Sequence, residues 1–446
     1  MVAAVGLRQV RKLWILVVGF VTVLSLSYIY AATKHDFNIQ NTIAPVYDKV
    51  SKLDILGYEI RPQNVRFKFI NPKNKSGARA EIIEQNTKTY EDLAKAKIDV
   101  PKDFDIDSIR PPEDVSKYKH ANATIVSLVR NKELEGISST IKLFEKQFNS
   151  KFRYPYTFMN DEPFTDEFKA EIAKLTDAPT NYVVIPPHLW NRPDSIDKSL
   201  ELAGHNRLSK LGIPYATKVN YRNMCRFYSG NFYNVPELQK YKYYWRIEPD
   251  VKFLTEVKYD VFKYMEGTGK VYGFTMNLYD IEVTVPTLWT ETLAYLNTGD
   301  NYKYVNPNGA FQWLLDNLQH TEKARVAGGY SCCHFWSNFE IADMDFWRSD
   351  AYNNWFKYLD STGKFYYERW GDAPVHSIGV GLFADKSKVH WFRDIGYTHA
   401  PYFHCPNTDT TADCKIGEFC GISNLQDQNC MGNWIDYSME NPDAIY

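Results

Sequence analysis

Glu248-Pro249-Asp250 places two carboxylates two residues apart at the end of the apolar stretch YYWRI, Tyr243 to Ile247. Such a pair can hold a divalent cation that bridges a diphosphate, because hard cations take oxygen ligands from side chain and phosphate alike. The spacing alone is a weak signal: with 54 acidic residues in 446, about six or seven such pairs arise by chance. The same residues also read as an exposed turn after a strand that Pro249 ends. Glu340 is the second candidate, set among Phe335, Trp336, Phe339, Ile341 and Phe346. A carboxylate in apolar surroundings is either ion-paired structurally or tuned for catalysis. Asp372 follows in ERWGDAPVHSI, where Gly371 and Pro374 fix a turn around it. The stretch WFRDIGYTHAPYFHCP adds His399 and His404, each a metal ligand or a satisfied structural histidine.

Composition narrows the function classes. Fifty-two basic against 54 acidic side chains give a net charge of -2, which excludes an electrostatically driven nucleic-acid binder over the whole surface. Aromatic residues reach 15%, with 32 Tyr and 11 Trp. That suits stacking against sugar rings, and it serves equally to fill a core.

The elements that must position these residues begin after a membrane segment. Leu13 to Tyr30 is uncharged, follows Arg8, Arg11 and Lys12, and is extended by Ala31 and Ala32. As a helix it rises about 27 Å, near the thickness of a bilayer core. We read 1–12 as a cytosolic tail, 13–32 as an uncleaved signal anchor, and the rest as lumenal. Residues 33–114 are polar with little periodicity and read as a stem. From Ala123 the pattern becomes strand (ATIVSLVR), helix (Leu134, Ile137, Ile141, Phe144, Phe148), strand (YPYTFMN), helix (Phe164, Phe168, Ile172, Leu175), strand (YVVIP). Further strands are expected at Tyr243 to Ile247 and Val271 to Met276. This alternation predicts an α/β fold with a parallel sheet covered by helices, in one catalytic domain over 115–446. Open sheets of this kind bind ligands beyond the carboxyl ends of their strands, which singles out Arg130-Asn131, Asp161-Glu162 and Glu248-Pro249-Asp250.

Six of the seven cysteines lie after residue 330 and none forms a CxxC pair, so disulfides in an oxidising lumen are expected rather than zinc. We expect Cys225 to reach Cys332 or Cys333, and Cys405, Cys414, Cys420 and Cys430 to staple the tail. Sequons stand at Asn74 and Asn122. The second opens a strand expected to be buried, which argues against its use.

Taken together and in order, TIVSLVRNKEL, VNYRNMCRFYSGNFY, YYWRIEPDV, SNFEIADMDFWRSDAY, RWGDAPVHSI and IGYTHAPYFHCP resemble the fungal Golgi α-1,2-mannosyltransferases of glycosyltransferase family 15, over about Ala123 to Cys405. The resemblance implies a GT-A-like mixed sheet flanked by helices, preceded by a transmembrane helix and a stalk. It implies retaining transfer of mannose from GDP-mannose, with Mn²⁺, to a mannose-terminated glycan in protein glycosylation and cell wall mannan. By the same resemblance Arg130 binds the nucleotide, Glu248 and His399 hold the metal, and Tyr221 reaches the sugar site. Glu340 matches the nucleophile and Asp372 a competing carboxylate, while Asp250 is free to orient the sugar or ribose. Three other readings remain open on the residues alone: a same-fold transferase using another nucleotide sugar, a lumenal glycoside hydrolase, and a non-catalytic mannose-binding protein. The acceptor, whether N-linked, O-linked or lipid-linked, is not legible.

The anchor generates a direct test. The full-length chain is expected to resist carbonate extraction and to keep its C-terminus protected from protease in sealed microsomes. Digestion of the C-terminus in intact vesicles would refute this topology.

Overall fold

Neighbouring residues of the central strands are buried on opposite faces. Ile125 and Val126 separate into two apolar layers, as do Phe158 and Met159, and Trp245 and Tyr244. Strands buried on both sides need a helical layer on each face. The computed structural model describes Lys68 and residues 77–446 apart from 316 and 317. In chain order its strands are Ala123–Leu128 (β1), Tyr156–Asn160 (β2), Thr180–Val184 (β3), Tyr243–Arg246 (β4), Lys252–Phe253 (β5), Tyr272–Phe274 (β6), Asn277–Tyr279 (β7), Cys333–Phe335 (β8), Glu340–Asp343 (β9), Val389–Trp391 (β10), Tyr397–His399 (β11) and Tyr402–His404 (β12).

The main sheet runs β10-β6-β9-β4-β1-β2-β3. It is mixed, as the family resemblance implies, not parallel throughout as the strand–helix alternation predicts. The difference lies in β9, which runs antiparallel to both β4 and β6 while the other neighbours are parallel. Its reversal puts Glu340, the first residue of β9, directly opposite Arg246, the last of β4. Two small sheets flank this edge: β12-β11-β5 and β7-β8. One face of the main sheet is covered by the helices Leu134–Gln147 and Val261–Thr268, the other by Val219–Gly230, Asp350–Ser361 and Asp372–Phe383.

Two expectations are corrected here. Residues 33–114 are not a stem throughout, because Arg79–Lys95 is a helix that buries Ile82, Asn86, Tyr90 and Ala94, and Ile98, Ile106 and Ile109 are buried too. The buried stripe of that helix recurs every four residues but is narrow and includes the polar Asn86, and its charged flanks hide it in the sequence. The disulfides are Cys333–Cys430 and Cys405–Cys414, with Cys225, Cys332 and Cys420 free and buried. Cys225 takes no disulfide because its helix turns the thiol toward Tyr221 and the start of the Asp372–Phe383 helix. Asn122 is exposed, one residue before β1. The anchor at 13–32 lies outside the described residues, and among the described residues no helix is long and apolar enough to cross a membrane.

Asp394, between β10 and β11, accepts a 2.8 Å hydrogen bond from Tyr446, and burial raises its carboxyl pKa to about 6. A carboxyl raised above its unfolded value favours the fold while neutral, and this contribution is lost as pH rises from about 4 through about 6. Asp394→Asn is therefore expected to stabilise the protein at pH 8 by on the order of 2 kcal/mol, with no difference below about pH 4, in urea unfolding at the two pH values.

Candidate active site

The carboxyl edge of the sheet holds a buried guanidinium. Arg246 is 3% exposed and closes β4, where an all-apolar residue would continue YYWRI. Its Nη1 donates to Asp372 Oδ2 at 2.7 Å, and its Nε and Nη2 donate to Glu248 Oε1 at 3.0 and 2.5 Å. Glu340 Oε1 lies 3.9 Å from Nη1, and the guanidinium carbon sits 3.5 Å from the centre of the Tyr228 ring. Burial works against the charge, yet Glu248 and Asp372 hold the Arg246 pKa well above its ordinary value.

Asp372 starts a helix that is buried almost throughout, and a carboxylate there is favoured by the helix dipole. Ser337 donates to the same Oδ2 at 2.7 Å. Burial would raise the Asp372 pKa, but Arg246 and His376 reverse the effect and hold it below the ordinary aspartate value. His376 is four residues on, on the same face of the helix.

Glu340 is enclosed completely, with 0% exposure. Tyr244 donates to Oε1 at 2.8 Å and Tyr272 to Oε2 at 3.1 Å, while His376 Nδ1 lies 3.0 Å from Oε2. Trp347 Nε1 in turn donates to the Tyr244 hydroxyl at 3.1 Å. Both oxygens are thus occupied.

Glu248-Pro249-Asp250 is a turn tethered to the Leu134–Gln147 helix. Thr140 Oγ1 donates to Glu248 O at 2.9 Å and to Val251 O at 3.2 Å. Asp250 is exposed and held at φ +62°, in the left-handed region that Asp and Asn tolerate better than other non-glycine residues. Its carboxylate rests on Gly136 so closely that a Cβ there would stand 2.8 Å from both oxygens. His399 closes β11, whose pairing sets the preceding Thr398 opposite Lys252, two residues past Asp250. His399 Nδ1 is buried without a hydrogen-bond partner.

Tyr221, on the Val219–Gly230 helix, and the Asp372 amide both lie beside the Cys225 thiol, which burial pushes up to about 12. Cys225 and then burial push the Tyr221 hydroxyl well above its ordinary pKa. Arg130 is exposed just beyond β1 and pairs with Glu133. A depression of about 640 Å³ opens beside it, lined by Asn131, Lys132, Glu135, Ser138 and Glu167 among others, and shares no residue with the Arg246 cluster.

The structure therefore connects Tyr221, Asp372, Glu248 and Glu340 through Arg246 and Cys225, sets His399 and Asp250 at the adjoining turn, and leaves Arg130 apart. Sequence reasoning missed Arg246, His376 and Tyr228. An arginine closing a strand of aromatic residues, and a histidine four after Asp372, were the available signals.

A family model described as glycolipid 2-alpha-mannosyltransferase matches residues 80–439. The chain belongs to this family. It is 47% identical over 366 residues to the probable mannosyltransferase KTR4 of Saccharomyces cerevisiae, covering 80% of this chain and 78% of that one. The X-ray structure of the S. cerevisiae mannosyltransferase Ktr4p in complex with GDP superposes with a TM-score of 0.80 at 45% identity, over 84% of this chain and 96% of that one. Core-mannan synthase A (CmsA/Ktr4) from Aspergillus fumigatus, in an Mn/GDP form, gives 0.75 at 44% identity over 77% and 93%. The family match continues past Cys405, where the motif resemblance stops.

Removing Glu340 would leave Arg246 short of a carboxylate and two tyrosine hydroxyls without an acceptor. Glu340→Ala is expected to lower unfolding free energy by about 3–5 kcal/mol, the scale of breaking a buried charge network, measured by chemical denaturation. A loss under about 1 kcal/mol would show that the network is not structural.

Proposed function

We propose that this protein is a retaining α-1,2-mannosyltransferase that moves mannose from GDP-mannose to a mannose-terminated glycan. The observation that carries the reading is the connected set Tyr221, Cys225, Asp372, Arg246 and Glu248 at the ligand-binding edge of the sheet, in a chain of a mannosyltransferase family. Two relatives have been seen with GDP, one of them with Mn.

Glu248 and His399 suit a divalent cation: Glu248 uses only Oε1 for Arg246, and His399 Nδ1 has no partner. Among the described residues no cluster of three His, Cys, Asp or Glu forms a cage. One carboxylate and one imidazole leave coordination positions for phosphate oxygens and water. Mn²⁺ bound there would neutralise charge on the departing diphosphate. Arg246 holds Glu248 in place, Asp250 is offered to a sugar or ribose hydroxyl, and Arg130 to the nucleotide once freed from Glu133.

Departure of GDP leaves oxocarbenium character at the anomeric carbon, which a nearby carboxylate stabilises. We assign that part to Asp372. Glu340, in place of the nucleophile implied by resemblance, is assigned a positioning part: it is fully buried, both its oxygens are engaged, and it neighbours Arg246 and His376. The span Leu13 to Tyr30 supports a Golgi membrane protein with a lumenal catalytic unit, and two disulfides fit an oxidising lumen.

The test is incubation of the full chain with GDP-mannose, Mn²⁺ and a panel of α-mannosides, followed by linkage analysis. An α-1,2-linked product is expected, and EDTA should abolish it. Glu248→Ala and His399→Ala should each weaken GDP binding only when Mn²⁺ is present. Asp372→Asn should cut turnover by about a hundredfold with GDP binding nearly unchanged. Equal GDP binding with and without Mn²⁺ would refute the metal site. Greater loss of turnover in Glu340→Gln than in Asp372→Asn would return the nucleophile to Glu340.

A further inference from the structure

Tyr215 combines three features that packing alone does not require. It is 57% exposed, although most tyrosines of this chain are buried. Its backbone is held at φ +59°, which strains any residue with a Cβ. And its ring lies parallel to that of Tyr221, with centroids 4.5 Å apart and planes 4° from coplanar.

The loop carrying it is fastened from beneath by a buried arginine. Arg222 has no exposure, and its hydrogen bonds run to main-chain carbonyls. Nη1 donates to Tyr215 O at 3.3 Å and to Lys218 O at 3.5 Å, Nη2 to Ala216 O at 2.9 Å and to Glu368 O at 3.2 Å. A guanidinium spent on three carbonyls of one short loop holds the strained residue in place and joins it to the segment that leads to Arg369 and Asp372. Arg369 itself sits 5.2 Å from the centre of the Tyr221 ring. Strain of this kind persists only where the surroundings impose it, and it concentrates at ligand sites.

Order along the contacts indicates what meets the ring. From Tyr215 the path runs to Tyr221, Cys225, Asp372, Arg246 and Glu248. The turn suited to a diphosphate lies at the far end, with Asp372 between. Tyr215 therefore flanks the sugar side of the centre, at a remove of about one aromatic ring beyond Tyr221. Its outer face is flat, apolar and open to solvent, and such a face packs against the C–H surface of a pyranose.

We propose that the Tyr215 ring, backed by Tyr221 and fixed by Arg222, is a carbohydrate subsite that takes a pyranose of the acceptor next to the reacting one. The inference rests on the transferase reading for the word acceptor, but binding to the ring can be measured without turnover.

Tyr215→Gly is the informative variant, because it removes the ring and relieves the positive φ at once. Full-chain protein would be titrated with an α-linked mannobiose without donor, with GDP and Mn²⁺, and by thermal unfolding. Mannobiose affinity is expected to fall about tenfold, the scale of losing one aromatic stacking partner, with GDP affinity unchanged and Tm not lowered. Tyr215→Phe should keep mannobiose affinity within about twofold, since the stacking face is retained. Unchanged mannobiose affinity in Tyr215→Gly would overturn the subsite, as would a parallel fall in GDP affinity, which would give the ring to the nucleotide. A fall in Tm with unchanged mannobiose affinity would make the ring structural. Mannobiose binding that depends on Tyr215, in a protein that transfers nothing from GDP-mannose, would leave the subsite standing and refute the transferase reading instead.

Discussion

A guanidinium with 3% exposure cannot stay buried without opposite charge, and the site is organised by how Arg246 meets that requirement. Its partners come from three places: Glu248 just past β4, Glu340 at the start of β9, and Asp372 at the head of a helix. Bringing them together requires β9 to run against its neighbours and the Asp372–Phe383 helix to begin at the sheet edge. Three carboxylates around one guanidinium leave a surplus of acceptor oxygens, met in part by Tyr244, Tyr272, His376 and Ser337. A site with such a surplus is predisposed to accept a cation, and Glu248 is the most exposed of the three carboxylates.

The division of labour among the carboxylates follows from exposure and occupancy rather than residue type. Glu340 is sealed, with Oε1 accepting from Tyr244 and Oε2 meeting Tyr272 and His376. Asp372 shares one oxygen between Arg246 and Ser337. Glu248 is the most open and spends one oxygen on Arg246. Exposure thus rises from Glu340 through Asp372 to Glu248.

Local strain marks the rim of the same region. Asp250 and Tyr215 are both non-glycine residues at positive φ, each tied down by a helix: Asp250 by the first turn that contains Gly136, Tyr215 by Arg222. Each such conformation costs on the order of 1–3 kcal/mol. The aromatic excess divides accordingly. Most of it fills the two layers of the core, seven tryptophans standing among the largest fully buried side chains, while Tyr215 stays 57% exposed. Of the two uses of aromatic residues open in the composition, the core takes the larger share among the described residues.

By itself the sequence determined β1, β2 and the Leu134–Gln147 helix, because periods of two and of 3.6 are properties of consecutive residues. It also determined the family, since long motifs in fixed order carry more information than any one spacing, and with it the residue types at the site. What it could not decide were the relations set by distant packing. The four residues of β9 are too few to show a period, and nothing in Glu340-Ile341-Ala342-Asp343 gives the direction in which the strand runs. The same apolar neighbours around Glu340 fit a tuned nucleophile and a sealed structural acid alike, and nothing local shows that Tyr244, Tyr272 and His376 arrive at it from separate elements. The Arg79–Lys95 helix read as stem because its buried stripe is one residue wide, and a partner surface was needed to reveal it. Cysteine number and compartment predict a disulfide for Cys225, yet its helix places the sulfur beside Tyr221 and Asp372 instead. Residue type is inherited along the chain, whereas exposure, partner and charge balance are properties of the assembled fold.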